Sequence, residues 1–229
     1  MKLQILIPQY TETDEVVKPL LDSISIQQGV DFNDIGVVIL NDGSDIKLSD
    51  FIFTYPFQVQ YYAHEHSGVS ATRNQCFDLS TAPYVMFCDA DDMFYSIQSL
   101  NIILNKINEG FETLMGKFIE EQKDENHNSI FIPHNRDSVF VHGKVHNREF
   151  LINNGIKFLP QLTIHEDSYF NLQCHELAKE VLVVEEPIYL WKWRDDSICR
   201  KDPKYIFKTY TNLIDSSDAL VATFFQRGR

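Results

Sequence analysis

The sequence predicts an α/β fold with a mostly parallel central sheet, and three observations carry that expectation. Residues 3–7, 35–40 and 84–88 are apolar runs without polar alternation, the pattern of strands buried on both faces. A stripe of helical period (Val16, Val17, Leu20, Leu21, Ile24, Ile26) separates the first two runs, giving the order of a parallel strand–helix–strand unit. Each run then stops in a polar loop. In an open sheet of this kind, such loops share the crevice beyond the carboxyl ends of the strands, where ligands bind.

The first strand is expected over residues 3–7, stopped by Pro8. Thr13 before Asp14 and Glu15 offers a helix start, but Pro19 lacks the N–H of an interior position and draws the expected start toward itself. Gln27-Gln28-Gly29 ends that helix. Residues 35–40 form the second strand and 58–62 a third, more polar one. Gly68 permits a tight turn into a helix over 69–79, with Val69, Ala71 or Thr72, Cys76 and Leu79 as its expected inner face. After Pro83 comes the strand 84–88, then a helix over 99–107 closed by Gly110 and a strand over 114–119. Residues 120–129 read as a hairpin turn or surface loop. Short strands follow at 131–132 and 139–141, with a helical turn at 147–151 ending near Gly155. A helix over 164–172 starts near Glu166-Asp167, and strands are expected at 181–184 and 188–191. Beyond Asp202 the chain reads as a helix with Tyr205, Ile206, Tyr210, Leu213 and Ile214 on its apolar side. It either caps the sheet or offers a partner surface, a homo-oligomer contact included.

The 229 residues, 44% hydrophobic and 23% charged, suffice for one well-filled globular core. A net charge of -13 argues against extensive nucleic-acid contact, which needs positive surface to replace counterions. It leaves room for a nucleotide whose phosphates meet a local metal ion. No run approaches the roughly 20 apolar residues of a membrane span, and the N-terminus lacks a signal-peptide core. The four cysteines (Cys76, Cys88, Cys174, Cys199) have neither metal-knuckle spacing nor a disulfide framework, which fits a reducing, cytoplasmic setting.

The chemistry centres on Phe87-Cys88-Asp89-Ala90-Asp91-Asp92, where an apolar strand ends in three carboxylates. Such crowding is costly unless a cation or hydrogen-bonding ligand offsets it, although an acidic turn alone accounts for it equally well. Asp89 and Asp91, flanking the small Ala90, can face one hard cation such as Mg²⁺ or Mn²⁺, which favours oxygen ligands and bridges to a diphosphate. No Gly-x-Gly-x-x-Gly or Walker-type loop is present, so phosphate binding has to come by another route. Arg73 reads equally as a partner of the diphosphate or of an acid in the pocket and as a structural ion pair. Glu166 and Asp167, taken alone, are acids favourable in the first turn of a helix.

Six stretches occur in one order: Ile7-Pro8-Gln9-Tyr10, Val38-Ile39-Leu40-Asn41-Asp42-Gly43-Ser44, Ser67-Gly68-Val69-Ser70-Ala71-Thr72-Arg73-Asn74, Phe87-Cys88-Asp89-Ala90-Asp91-Asp92, Val141-His142-Gly143-Lys144-Val145-His146-Asn147-Arg148-Glu149-Phe150 and His165-Glu166-Asp167-Ser168-Tyr169-Phe170. Together they resemble the family 2 glycosyltransferases of the GT-A fold, a Rossmann-like α/β/α sandwich. The resemblance implies a single catalytic domain over residues 1–229. Residues 1–110 form its nucleotide-binding part, and 111–229 its acceptor-binding part and C-terminal closing segment. Asp89-Ala90-Asp91 resembles the family's DxD element, with Asp91 the main metal ligand and Asp89 on the ribose or sharing the metal. Asp92 orients the loop or meets the donor sugar. Pro8 and Tyr10 fall in the first nucleotide loop, with Tyr10 stacking on the base, and Asp42 lies near the base and ribose. Asn41 replaces the usual first Asp of Asp-Asp-Gly-Ser, and the first strand ends Pro-Gln-Tyr-Thr instead of Pro-x-Tyr-Asn.

By the same resemblance Asp167 is the general base and Glu166 binds or orients the acceptor. His142, Lys144 and His146 lie where the family places acceptor or donor-sugar contacts. Arg194, then Lys192, are the phosphate candidates of the closing segment, while Trp191 and Trp193 line a sugar surface or pack the last strand. The implied reaction is inverting transfer of a hexose or N-acetylhexosamine from a nucleoside-diphosphate sugar, UDP-linked, with Mn²⁺ or Mg²⁺. The acceptor is a hydroxyl on a glycan, lipid-linked or protein carrier. A cytoplasmic enzyme, with peripheral association at the inner face of the membrane, is the expected setting. The alternative is a non-catalytic nucleotide-sugar or glycan-binding module.

Overall fold

The computed structural model describes residues 1–162, 164–195 and 205–226, with side chains in the last stretch from residue 214 onward. The expected Cys199 and the side chains of Tyr205, Ile206, Tyr210 and Leu213 lie outside these described residues. In chain order the elements are β1 (Leu3–Gln9), α1 (Asp14–Ser25), β2 (Ile35–Asn41), β3 (Gln58–Ala63), α2 (Val69–Leu79), β4 (Tyr84–Phe87), β5 (Met93–Phe94), α3 (Ser99–Glu109), β6 (Thr113–Lys123), β7 (Ser129–His134), β8 (Lys144–Asn147), α4 (Arg148–Asn153), α5 (Glu166–Leu177), β9 (Val181–Trp191) and α6 (Tyr205–Gln226).

One sheet runs β3-β2-β1-β4-β8-β6-β9-β5, with β7 paired to the outer part of β6. The first four strands are mutually parallel. β8 then enters antiparallel between β4 and β6, and β6 and β9 are parallel again. Alternation along the strands divides the core into two layers. Leu3, Ile5 and Ile7 of β1 face α1 and α3, packing with Leu20, Ile24, Ile103 and Ile107. Leu6, Val38 and Phe87 point the other way, onto Phe77, Phe150 and Phe170 of α2, α4 and α5. Helices on both faces of a largely parallel sheet make the expected α/β sandwich.

Several boundaries differ from expectation. β1 runs through Pro8 to Gln9. The Leu6 carbonyl accepts from Cys88 N–H and the Gln9 carbonyl from Asp42 N–H, so even-numbered residues of β1 face β4. β4 has ended by that level, so the missing N–H of Pro8 interrupts no ladder bond. α1 starts at Asp14, well before Pro19. Val17 is fully buried on the same stripe as Leu20 and Leu21, which requires a helical first turn. The carbonyl that Pro19 leaves unbonded, that of Glu15, belongs to an exposed residue. Ile26 falls just past the helix and is exposed.

The inner face of α2 is Ser70, Thr72, Arg73, Cys76 and Phe77, with Val69 exposed at its start. Residues 139–141 form a turn instead of a strand, because Asp137 Oδ1 accepts from both Val139 and Phe140 N–H at 2.8 Å. The strand comes next, as β8. β6 extends into the segment expected to be a turn, and residues 181–191 form one strand with a register irregularity opposite Gly116 and Lys117. α6 packs on α5 through Tyr169 and Thr223, whose hydroxyls lie 3.0 Å apart, and leaves Ile214, Val221 and Phe225 exposed. Among the described residues no helix is long and apolar enough to cross a membrane.

Candidate active site

The loops after β1, β2 and β4 meet at the carboxyl edge of the sheet, and the sequence explains their shape. Asn41 folds the second loop: its side-chain amide donates to the Ile46 carbonyl (2.8 Å) and the Ser44 carbonyl (3.2 Å), while its Oδ1 accepts from Ser44 N–H (2.8 Å). A carboxylate there accepts but cannot donate, so the Asn that departs from the family pattern has a local reason. Gln9 makes matching bonds to the carbonyls of Glu12 and Ile46, tying the first loop to the second.

Asp42 is buried and bound by the turn ahead of α2. Its Oδ1 accepts from Ser67 N–H at 2.7 Å, its Oδ2 from Gly68 N–H at 3.0 Å, and His64 and His66 approach it at 3.2 and 3.0 Å. Gly43 has φ +74° in this loop, and a Cβ there would meet His66 N at 2.3 Å, so the close approach is reserved for glycine. The exposed Tyr10 stacks on His66 with ring centroids 4.7 Å apart and 27° between planes. Nothing in the sequence marked His64, His66 or Glu12 as members of this edge.

The centre of the site is Arg73. Only 3% exposed, it reaches three carboxylates from two distant parts of the chain: Asp89 Oδ1 at 2.8 Å, Glu166 Oε1 at 3.1 Å and Asp167 Oδ1 at 2.6 Å. The ring of Phe158 lies 5.2 Å from the guanidinium carbon. Burial works against the Arg73 charge, but Asp167, Asp89 and Glu166 together more than offset it and raise its pKa. Of the partners the sequence offered Arg73, the structure shows the acids, an arrangement common to the pocket pairing and to the structural ion pair. Asp89 is held below the usual carboxylate range: burial pushes it up, and Arg73 and then His142 pull it down further.

The base candidate is differently placed. Burial raises Asp167 to about 7, against the pull of Arg73, with Glu166 and Asp89 adding to the rise. Its Oδ2 accepts from Val141 N–H at 3.3 Å. Asp91 is raised by burial and by Asp89, and its Oδ2 meets Arg194 Nη1 at 3.1 Å. Arg194 also lies 3.5 Å from Glu12, so it bridges the first and third loops. Ala90 is buried between the two acids. Asp92 is not open to a ligand sugar: it accepts from the Tyr189 hydroxyl at 2.6 Å and from Lys192 N–H at 2.9 Å. Burial, then Asp91 and Asp89, hold its pKa well above the ordinary value. This latch fastens the end of β9 to the acidic loop. A tyrosine buried in an apolar strand needs a hydroxyl partner, which was the available signal for it.

His142 is buried with Nδ1 3.7 Å from Asp92 Oδ2 and no hydrogen-bond partner among the described residues. Burial lowers it to about 4. Asp89, Asp92 and His142 each bring one ligand atom to within 4.8 Å of the others, a set able to hold a metal ion. The expected pair was Asp89 and Asp91, so Asp89 is common to both sets. His142 stacks between Phe140 and Tyr189, with Trp191 at 5.0 Å. Trp191 therefore packs this aromatic group, and the indole N–H of Trp193 donates to Asp195. His146 is a core residue against Thr113 and Phe170, away from any ligand-facing position. Lys144 is buried; desolvation lowers it to about 8, against Asp137 and Asp167.

Comparison with known proteins agrees with this geometry. The profile of glycosyl transferase family 2 matches residues 4–175. EpsH of Bacillus subtilis, named as a glycosyltransferase, is 24% identical over 91% of this chain and 66% of its own length. The glycosyltransferase GlyA of Streptococcus pneumoniae is 21% identical over 87% of this chain and 32% of its own length. The chain thus spans less than two thirds of these relatives. Among solved structures, S. aureus TarS residues 1–349 with UDP-GlcNAc superimposes with a TM-score of 0.71 at 18% identity, covering 91% of this chain and 64% of that one. The mannosyltransferase PcManGT of Pyrobaculum calidifontis, with GDP-Man and Mn²⁺, gives 0.62 at 15%, covering 86% and 58%. These structures share the GT-A type of α/β sandwich. The ordered motifs, the sheet and the profile over three quarters of the chain agree: this chain belongs to glycosyl transferase family 2.

Proposed function

We propose that the chain is an inverting glycosyltransferase domain that moves a hexose or N-acetylhexosamine from a nucleoside-diphosphate sugar to a hydroxyl acceptor on a glycan, lipid-linked or protein carrier. One observation carries the reading: Arg73 gathers Asp89 of the acidic loop and Glu166 and Asp167 of α5 on one guanidinium. In this reading the diphosphate edge at Asp89 and the base Asp167 are adjacent, although 78 residues separate them in sequence. The choice of UDP draws on the nucleotide named for TarS, with GDP, named for the mannosyltransferase, as its competitor.

In this reading Asp167 takes the acceptor proton. Arg73 holds one of its oxygens and Val141 N–H the other, which fixes the carboxylate while leaving lone pairs for the incoming hydroxyl. The acceptor oxygen forms the new bond to the anomeric carbon as the bond to the diphosphate oxygen breaks on the opposite face. A pKa near 7 makes Asp167 more basic than an ordinary carboxylate and matches it to neutral pH. Arg194, with Lys192 beside it, lies at the acidic loop where the leaving diphosphate gains charge. The donor set fits a divalent cation: Asp89 and Asp91 offer hard oxygens, and Asp91, raised first by burial and then by Asp89, would be favoured in its ionised form by a cation beside it. Mn²⁺ or Mg²⁺ held there would neutralise the diphosphate.

The test is Asp167→Asn. Sugar transfer is expected to fall by roughly 10²–10⁴-fold, the range of a lost general base, while UDP affinity in the presence of Mn²⁺ stays close to that of the parent. Transfer by D167N at the parent rate would remove the base assignment.

A further inference from the structure

Lys144 is a charge in the wrong place for a core residue. It is 3% exposed, at the start of a strand between β4 and β6, where an apolar side chain of the same length would pack without the cost of desolvating an ammonium. Its surroundings show what the charge holds. Nζ donates to the Phe140 carbonyl and lies 3.6 Å from Asp137 Oδ1. The Phe140 carbonyl and the Val141 N–H belong to one planar peptide and point in opposite directions. At the opposite edge of that peptide, the Val141 N–H donates to Asp167 Oδ2.

We infer that Lys144 is a positioning residue for the reaction: by holding the carbonyl edge of the Phe140–Val141 peptide, it aims the backbone N–H that orients the Asp167 carboxylate. The same turn is secured at three further points. Asp137 accepts from the N–H groups of Val139 and Phe140, Asn171 of α5 donates to the Val139 carbonyl at 2.8 Å, and Gly116 N–H donates to the Gly143 carbonyl at 2.9 Å. None of these touches the Phe140–Val141 peptide itself: among the described contacts its carbonyl is held by the Lys144 ammonium and its N–H by Asp167, while Lys144 N–H donates to the next carbonyl, that of Val141, at 3.3 Å. The ammonium also polarises the peptide it holds, which strengthens the N–H on the other side as a donor to a carboxylate.

The inference rests on Asp167 as the base, and D167N decides that separately: a fully active D167N removes the base whatever Lys144 does. The direct test is Lys144→Met, which keeps length and packing but removes the ammonium. Its kcat is expected to fall about 10- to 100-fold, with donor KM and UDP affinity in Mn²⁺ within twofold of the parent. In the double variant K144M/D167N, transfer should be no lower than in D167N alone, because the two losses pass through one carboxylate. General damage to the fold would multiply the losses instead. Lys144→Gln, which retains an N–H donor without the charge, covers the case where K144M does not fold; its loss should be at least threefold and confined to kcat. The inference is overturned by a folded K144M with kcat within twofold of the parent, by multiplying losses in the double variant, or by donor KM rising in step with the fall in kcat. An unfolded K144M accompanied by a K144Q of parental kcat overturns it equally.

Discussion

Asp167 and Asp89 share one guanidinium yet are driven apart in basicity. Asp89 keeps its own Arg73 nitrogen and is held low. Asp167 shares the other nitrogen with Glu166, sits deeper among acids, and rises to about 7. In the proposed mechanism only the deprotonated form accepts a proton, so kcat/KM should climb tenfold per pH unit on the acid side and level off near or below pH 7. A cation beside Asp89 moves the bend to lower pH. The stability sign is opposite: a carboxyl raised on folding favours the fold below its unfolded pKa, and that contribution is lost as pH rises through about 7. A rate profile flat from pH 5 to 8 would count against Asp167. At this scale the acidic loop was legible, because three carboxylates closing an apolar strand are costly without a purpose. Asp167 was legible only through the family's pattern, since acids in a first helical turn are ordinary. The partners of Arg73 were not legible: no spacing rule links a helix to a carboxylate 94 residues away.

Elements differ in how far local sequence determined them. β1, β2 and β4 carry unalternated apolar runs, and that pattern has few other outcomes in a chain with helical stripes between them. The second half was harder to read because its strands are set by partners distant in sequence. β8 holds only four residues and exists because β4 and β6 flank it, while the neighbouring Val139-Phe140-Val141, more strand-like in composition, is folded back by Asp137. The loop after β2 gives a sharp prediction. Gly43→Ala places a Cβ against the His66 backbone at a φ that L-residues disfavour, so it should cost about 1–3 kcal/mol in urea unfolding. In the proposed donor site it should also weaken UDP binding at least tenfold, because the Ser67-Gly68 turn that holds Asp42 must shift. UDP titration of the folded variant measures this, and unchanged affinity would separate the loop from nucleotide binding.

Across the whole molecule, a net charge of -13 is gathered partly at the carboxyl edge of the sheet, where Asp89, Asp91, Asp92, Glu166 and Asp167 converge. If a divalent cation belongs there, it should stabilise the fold by mass action. At a hundredfold excess over Kd, Mn²⁺ contributes about 2.7 kcal/mol, or roughly 5–10 °C in Tm for a chain of this size. Thermal unfolding with Mn²⁺ against chelator measures it, and Asp91→Asn should lose most of the shift; an equal shift in D91N would place the ion elsewhere.

The shared guanidinium has one more consequence, for the order in which ligands arrive. Arg73 carries a single positive charge against three ionisable carboxyls, so with all of them ionised the cluster presents a local charge of −2 beside Asp91. Such a cluster weakens the pull of Arg194 on a bare diphosphate, whereas a cation is drawn in by long-range attraction that weakens as salt is added. In the proposed donor site, the nucleotide sugar therefore enters as its metal complex or after the ion, and the pocket sorts its visitors by charge before it reads their shape.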